Sequence, residues 1–178
     1  MKYLSLFLIL LTPLSADPAK WKKDIAKFEA TDKKSPPPKG AYLFIGSSSA
    51  RMWDLKKFFP EHTTINRGFG GSELEDSLVY ADRILIPYQP KVVFLYAGDN
   101  DISNGKTAEI VTADFQKFVA KVHKALPKTD IVFVPIKPSL KRWNLWPKMN
   151  KANQAIKKIT ETNPKLHYLP IPPTMLGK

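Results

Sequence analysis

The sequence lacks cysteine altogether, and among its 178 residues it has three histidines and fewer acidic side chains (16) than basic ones (28). Without cysteine there is no disulfide framework, no thiolate metal site and no attachment point for a lipoprotein anchor. Long hydrophobic runs are also absent, since the apolar stretch within residues 2–16 is too short to cross a bilayer. A chain of this length fits one globular domain with a single core.

The excess of basic residues gives a formal net charge of +12. Most of the positive side chains are lysines scattered along the chain, whereas nucleic-acid-binding proteins favour arginines in clustered patches. We therefore interpret the charge as a solvated cationic surface and expect no nucleic-acid partner. Attraction to an anionic envelope or an acidic polymer is the second interpretation.

Residues 1–16 have the three parts of a secretory signal peptide. The basic residue Lys2 precedes an apolar segment, and the small residue Ala16 precedes the expected cleavage point. An anchor helix is the alternative, which Pro13 disfavours because it interrupts the apolar run. We therefore expect a secreted or periplasmic protein with no membrane span after cleavage.

Residues 17–40 are predicted to form a short helix and a proline-rich connector. Trp21, Ile25 and Phe28 recur at helical spacing, which indicates a helix that packs on the core with one face. The prolines at 36–38 then favour an extended connector, because proline lacks the N–H that helices and strands need. The main domain is expected at 41–178.

Apolar runs alternate with helical patterns throughout that domain. The predicted strands are 42–45, 63–66, 92–97, 131–135 and 166–171, and the predicted helices are 50–58, 73–86, 107–125 and 147–162. The first, third and fourth runs are apolar almost throughout, which is typical of strands covered on both faces. The pattern predicts an α/β fold in three layers, with a doubly wound, five-stranded parallel sheet.

Three of these strands end in unusual residues, at 46–49, 66–72 and 98–101. In a doubly wound sheet, ligands bind beyond the carboxyl ends of the strands, so we expect these segments to share one rim. Each segment also has a simple structural interpretation. The serines could cap a helix, the glycines could serve turns, and Asn100 could bond its own backbone.

Taken in order, the segments resemble the SGNH hydrolases, the GDSL esterase and lipase family. Gly46-Ser47-Ser48 stands where that family carries Gly-Asp-Ser, Gly71 matches its second block, and residues 98–101 match its Gly-x-Asn-Asp block. The sequence is particularly similar to a secreted bacterial subgroup that carries Gly-Ser-Ser-Ser in the first block. The resemblance runs from about residue 20 to the C-terminus and implies a flavodoxin-like fold.

This resemblance implies that Ser48 is the nucleophile of an ester hydrolase. The oxyanion hole would consist of the backbone N–H of Ser48, the backbone N–H of Gly71 and the side-chain amide of Asn100. The activity would require no metal and no cofactor. A small ester, such as an acyl or acetyl ester on a carbohydrate or lipid, is the expected substrate.

Further residues are expected to contact the substrate: Ser47, Arg67, Asp101, Arg142 and Trp143. The aromatic ring of Trp143 suits a sugar ring or an acyl group, with packing inside a loop as the alternative. For Arg67 the alternative is a structural ion pair. The sequence does not indicate an oligomeric state.

The resemblance also implies a catalytic Asp-x-x-His pair after the fifth strand, and this sequence contains none. His62, His123 and His167 are expected away from the site, on the opposite rim or on a helix. We therefore expect the domain to be incomplete at its C-terminal end, without the last helix of the fold. Its activity as an esterase should be close to zero unless another group supplies a base.

Two other functions fit the same residues. A pseudoenzyme on the same scaffold could bind a glycan or lipid without cleaving it. A flavodoxin-like protein could bind a phosphate or a nucleotide in an anion nest at residues 46–49.

Overall fold

The computed structural model describes residues 18–176, so the predicted signal peptide lies outside the described residues. Seven α-helices are found in that part of the chain: α1 Lys22–Lys34, α2 Ser48–Arg51, α3 Leu55–Phe58, α4 Leu74–Ile84, α5 Asp99–Ser103, α6 Ala108–Ala125 and α7 Trp146–Thr160. Five strands alternate with them: β1 Tyr42–Gly46, β2 Thr64–Gly68, β3 Val92–Tyr96, β4 Asp130–Phe133 and β5 Leu166–Tyr168.

The strands form one parallel sheet in the order β2-β1-β3-β4-β5. The chain begins at β1 inside the sheet, adds β2 on one side and then crosses to β3 on the other. The winding therefore reverses between β1 and β3, which is where ligands bind in doubly wound sheets. The five-stranded parallel sheet predicted from the sequence is confirmed.

One face of the sheet carries the main core. Helices α1, α4, α6 and α7 lie side by side there. Alternate strand residues point into this core and are fully buried: Leu43, Ile45, Val93, Leu95, Ile131 and Phe133. The period of two follows from the pleat of a strand.

The opposite face carries an aromatic cluster beside α2 and α3. The ring of Phe44 stacks on Phe94, with centroids 4.5 Å apart, and meets the ring edges of Trp53 at 5.2 Å. Helices therefore cover both faces of the sheet. The helical layer on the face of α2 and α3 is thin, because these helices have four residues each.

Several boundaries differ from the predictions. The single helix expected at 50–58 is two short helices, because Asp54 accepts a hydrogen bond from the backbone N–H of Lys57 and starts α3 anew. Strand β5 stops at Tyr168, before Pro170 and Pro172, which have no N–H to donate to a ladder. No helix within residues 18–176 is long and apolar enough to span a membrane.

Candidate functional site

The turn after β1 depends on a glycine. Gly46 has φ +127°, and a Cβ on it would lie 1.8 Å from the carbonyl oxygen of Tyr96 at the end of β3. The next residue, Ser47, donates its backbone N–H to that oxygen at 2.9 Å. The ends of β1 and β3 are thus pressed together at the point where the winding reverses.

Ser48 is the first residue of α2 and is half-buried. Within residues 18–176 its backbone N–H has no hydrogen-bond acceptor, and its hydroxyl makes no hydrogen bond. The first N–H groups of a helix have no partner inside the helix. Ser48 therefore offers a hydroxyl and a free N–H at the same rim.

The loop between β2 and α4 brings a second free donor to this rim. Gly71 has φ +82°, and its N–H has no acceptor in the described part of the chain. Phe69, two residues earlier, donates its N–H to the carbonyl of Gly46 at 2.9 Å. The Gly71 loop is therefore fixed to the end of β1.

Asn100 lies in α5 and joins two loops through its side-chain amide. Its Nδ2 donates to the carbonyl oxygen of Ser72 at 2.9 Å, and its Oδ1 accepts from Nη2 of Arg142 at 3.1 Å. The nitrogen carries two hydrogens and the oxygen can accept two bonds. One amide N–H of Asn100 thus stays uncommitted among these contacts.

Arg142 reaches the rim from the 3-10 turn Leu140–Leu145 that follows β4. Its Nη1 lies 3.0 Å from Oδ2 of Asp99, and Oδ1 of Asp99 accepts a long hydrogen bond of 3.4 Å from the Ser47 hydroxyl. Four loops are thus joined in one hydrogen-bonded chain, which we call the rim network: Ser47, Asp99, Arg142, Asn100 and Ser72.

Trp143 is 52% exposed beside Arg142 and stacks on Trp146, with ring centroids 6.5 Å apart and an angle of 15° between the rings. One face of the ring therefore packs on a neighbour, as the packing alternative predicts, and the rest of the ring faces solvent. An exposed indole face on the rim suits a flat apolar group.

Ser47 does not fit the substrate contact that we predicted for it. Its exposed fraction is zero, and its N–H and hydroxyl are both used within the protein. Such a buried side chain offers no surface to a substrate, so Ser47 belongs to the support of the turn.

Asp101 is also fully buried, so its carboxylate stabilises the fold and has no surface for a substrate contact. Both carboxylate oxygens accept from the backbone N–H of Leu74, at 3.1 and 3.2 Å, and so hold the start of α4. Burial raises the pKa of Asp101 to about 7, against the opposing effects of the Lys106 charge and the Leu74 N–H. Lys106 lies 3.7 Å from Asp101 and within 3.3 Å of three other carboxylates, those of Glu73, Glu75 and Asp114.

Arg67 likewise has a structural place. Its guanidinium pairs with Asp32 of α1 at 2.6 Å and lies between the rings of Phe28 and Tyr88, at 5.0 and 4.9 Å from their centroids. The Arg67 side chain therefore packs against α1 and against the turn Ile86–Tyr88. This placement supports the ion-pair alternative and gives no support to a substrate contact.

The three histidines lie at the amino edge of the sheet, opposite the rim. The ring of His62 packs on Tyr42 at the start of β1, with centroids 5.1 Å apart. Nε2 of His123 lies 3.1 Å from the Thr129 carbonyl, and Nε2 of His167 lies 2.9 Å from Asp130 at the start of β4. Within the described chain, therefore, no histidine stands beside Ser48. Residues 18–176 also contain no cluster of three or more side chains suited to hold a metal ion.

Lys137 is a feature of the rim that the sequence did not reveal. Its Nζ donates to the hydroxyl of Ser49 at 2.8 Å and to the hydroxyl of Tyr96 at 3.1 Å. Burial raises the pKa of Tyr96, although the Lys137 charge opposes this, so the phenol stays protonated. These groups line one side of a cavity of about 430 Å³ whose other walls are apolar and include Trp53, Val134, Leu169, Ile171 and Met175. The sequence does not show that this lysine reaches both hydroxyls.

Solved structures share this fold at low sequence identity. One from Streptococcus pneumonia, described as a platelet activating factor, has a TM-score of 0.73 and 21% identity over 85% of this chain and 75% of that chain. A GDSL-like lipase from Bacteroides thetaiotaomicron has a TM-score of 0.70 and 18% identity, over 82% and 76% of the two chains. A catalytic mutant of an acetylxylan esterase from Geobacillus stearothermophilus has a TM-score of 0.60 and 14% identity, over 78% and 79%.

A search of curated proteins gives no match. The family model of the GDSL-like lipases and acylhydrolases matches residues 46–178, which begin at the glycine of the β1 turn and include the rim network. The match covers most of the chain. The chain therefore belongs to the GDSL-like lipase/acylhydrolase family.

Proposed function

We propose that the rim is the active site of a serine ester hydrolase, with Ser48 as the nucleophile. The observation that carries the proposal is the pair of free backbone N–H groups at Ser48 and Gly71. The loops that hold these two groups are linked to the Asn100 amide by hydrogen bonds. Such donors are fixed before a reaction begins, and fixed donors stabilise a developing negative charge most.

The reaction is acyl transfer to Ser48 and then to water. The Ser48 Oγ attacks the ester carbonyl carbon and loses its proton to a base, while the carbonyl oxygen gains the negative charge. Collapse of this tetrahedral adduct breaks the ester bond and releases the alcohol, which takes up the proton. Water then attacks the acyl-enzyme in the same way, which releases the acid and restores the Ser48 hydroxyl.

The proton transfer requires a base, and the histidines of the described chain lie at the far edge of the sheet. Serine alone is a weak nucleophile at neutral pH. We therefore propose that Ser48 reacts slowly in this chain by itself, and that turnover depends on a base from elsewhere.

The proposed substrate is a small acyl or acetyl ester on a carbohydrate or a lipid. The family includes lipases and acylhydrolases, and one similar structure is an acetylxylan esterase. The half-exposed ring of Trp143 gives the rim an apolar surface on which a sugar ring could stack. Residues 1–16 support export to the periplasm or the outside.

A fluorophosphonate probe, followed by mass spectrometry of the digested protein, tests the nucleophile. We expect slow labelling of Ser48, faster labelling with added imidazole as an external base, and no labelling of Ser48→Ala. Ser35→Ala is the matched control, because this serine is exposed and lies outside the rim, and it should be labelled as the wild type is. A folded wild type that stays unlabelled even with imidazole would refute the proposed hydrolase.

A non-catalytic binding module is the second candidate, and the cavity beside Ser49 favours it. The cavity joins apolar walls to the ammonium of Lys137, a combination that suits a lipid with an anionic head group. Decanoate should then change the fluorescence of Trp53 equally in the wild type and in Ser48→Ala. No change at any concentration below micelle formation would remove this candidate.

A further inference from the structure

We propose that Arg142 is a positioning residue that fixes the orientation of the Asn100 side-chain amide. This inference rests on the proposed role of Asn100 as a donor to the oxyanion. Arg142 would not itself stabilise the charge; it would keep the donor end of the amide toward the site.

The hydrogen bonds of Asn100 define one orientation. In the observed orientation Nδ2 donates to the Ser72 carbonyl at 2.9 Å and Oδ1 accepts from Nη2 of Arg142 at 3.1 Å. A flipped amide would place two acceptors together at Ser72 and two donors together at Arg142. Each of these pairings is repulsive, so the two neighbours select the same orientation.

Of the two neighbours, Arg142 supplies the charged hydrogen bond. A guanidinium donates more strongly to an amide oxygen than a neutral group does. Without Arg142, only the Ser72 carbonyl would hold the amide, and Oδ1 would accept hydrogen bonds from mobile water instead. The remaining Nδ2 hydrogen would then be less well fixed.

Arg142 is itself held in place by Asp99. Its Nη1 lies 3.0 Å from the Asp99 carboxylate while its Nη2 reaches Asn100, so the planar fork spans two neighbouring residues at once. The side chains of Arg142 and Asp99 are 28% and 15% exposed. A lysine has a single nitrogen and cannot reproduce this geometry.

The rate at which a fluorophosphonate labels Ser48 measures the effect, because the phosphonyl oxygen occupies the same donors. We expect Asn100→Ala to slow labelling by roughly 100-fold to 1000-fold, and Arg142→Ala by about tenfold or more. Arg142→Lys should fall between Arg142→Ala and the wild type. Lys141→Ala, an exposed neighbour in the same turn, is the matched control and should keep the wild-type rate.

The double variant distinguishes positioning from general support of the fold. If Arg142 acts through Asn100, then Arg142→Ala should cause no further loss in an Asn100→Ala background. Losses that multiply in the double variant, or an Arg142→Ala variant as fast as the wild type, would overturn the inference.

A second readout does not depend on Ser48 chemistry. In proton–nitrogen correlation NMR spectra, the Asn100 amide should give two separate peaks that are protected from solvent exchange, and Arg142→Ala should lose that protection. Unchanged protection would also overturn the inference. If wild-type Ser48 is not labelled at all, the proposed hydrolase fails, and the NMR comparison still decides whether Arg142 orients the amide.

Discussion

Asp101 and Lys106 face each other inside the protein, with Lys106 Nζ 3.7 Å from an Asp101 oxygen, and Asp101 directly follows the proposed oxyanion donor Asn100. The same lysine contacts carboxylates from the start of α4 and from α6. One buried cation therefore holds together the segments that position Gly71 and Asn100.

Replacing Lys106 by methionine should destabilise the protein strongly. The change keeps the length of the side chain but leaves the facing carboxylates without their cation. Removing one partner of a buried ion pair lowers the free energy of unfolding by about 3–5 kcal/mol. The free energy of unfolding in urea, followed by circular dichroism, measures the loss.

Lys117→Met is the matched control for that variant. Lys117 also pairs with Asp114, at 3.0 Å, but its side chain is 64% exposed. Exposed pairs contribute about 0–1 kcal/mol, so this variant should change little. Equal losses in the two variants would contradict the central role of Lys106.

Asp101 should make stability depend on pH in a defined window. Burial raises its folded-state pKa to about 7 from an ordinary value of 3.8, so between these values the folded protein holds the proton more tightly than the unfolded chain does. Its contribution is complete below about pH 4 and is lost as the pH rises through about 7.

Asp101→Asn isolates this contribution. The free energy of unfolding, measured in urea from pH 4 to pH 8, should fall less steeply with rising pH in the variant than in the wild type. Asp130→Asn is the control, because the His167 hydrogen bond lowers the pKa of Asp130 and its titration lies at lower pH. An Asp101→Asn slope equal to that of the wild type would show that Asp101 is ionised throughout.

Gly71→Ala should impair the site more than the fold. Its φ of +82° is costly for alanine, about 1–2 kcal/mol, while the added Cβ meets nothing closer than a Trp21 ring carbon at 3.4 Å. We expect the alanine to shift the loop and to slow the labelling of Ser48 about tenfold or more, because one donor moves.

Gly105→Ala carries the same backbone strain away from the rim, with φ +97° and open space around the added carbon. It should lose a similar free energy of unfolding and keep the wild-type rate of labelling. If the two variants label Ser48 equally fast, Gly71 is a turn residue without a role at the site.

Gly46→Ala should prevent normal folding. The added Cβ would overlap the Tyr96 carbonyl oxygen at 1.8 Å, and both atoms belong to adjoining strand ends that cannot separate without breaking the sheet. We expect a loss of about 4 kcal/mol or more, seen as insoluble protein or a collapsed urea midpoint. Gly40→Ala, with φ +75° and open space, should remain folded.

The fold was largely predictable because its signals are local. Apolar runs such as that of β3 and helical periodicity such as that of α6 depend on neighbours in the sequence, and both appear where expected. Helix α5 was not predicted, because five residues after Gly98 are too short for a periodic pattern and resemble a turn. The break between α2 and α3 was missed for the same reason.

Residues of the proposed site could be named from the sequence only where one residue type is required at a fixed place. Gly71 and Asn100 belong to such motifs. The contacts of Arg142 and Lys137 depend instead on loops that meet in space, and sequence order does not show which partner each one finds. Asp101 and Arg67 were among the expected substrate contacts, and sequence order does not show that each is buried beside a counter-ion.

The rim network takes its members from turns that follow four different strands. If any one of those strands slips or detaches, a member of the network moves with it. The chemical reactivity of this one hydroxyl would then report whether these four strands have assembled, and a labelling assay could follow refolding without any spectroscopic probe.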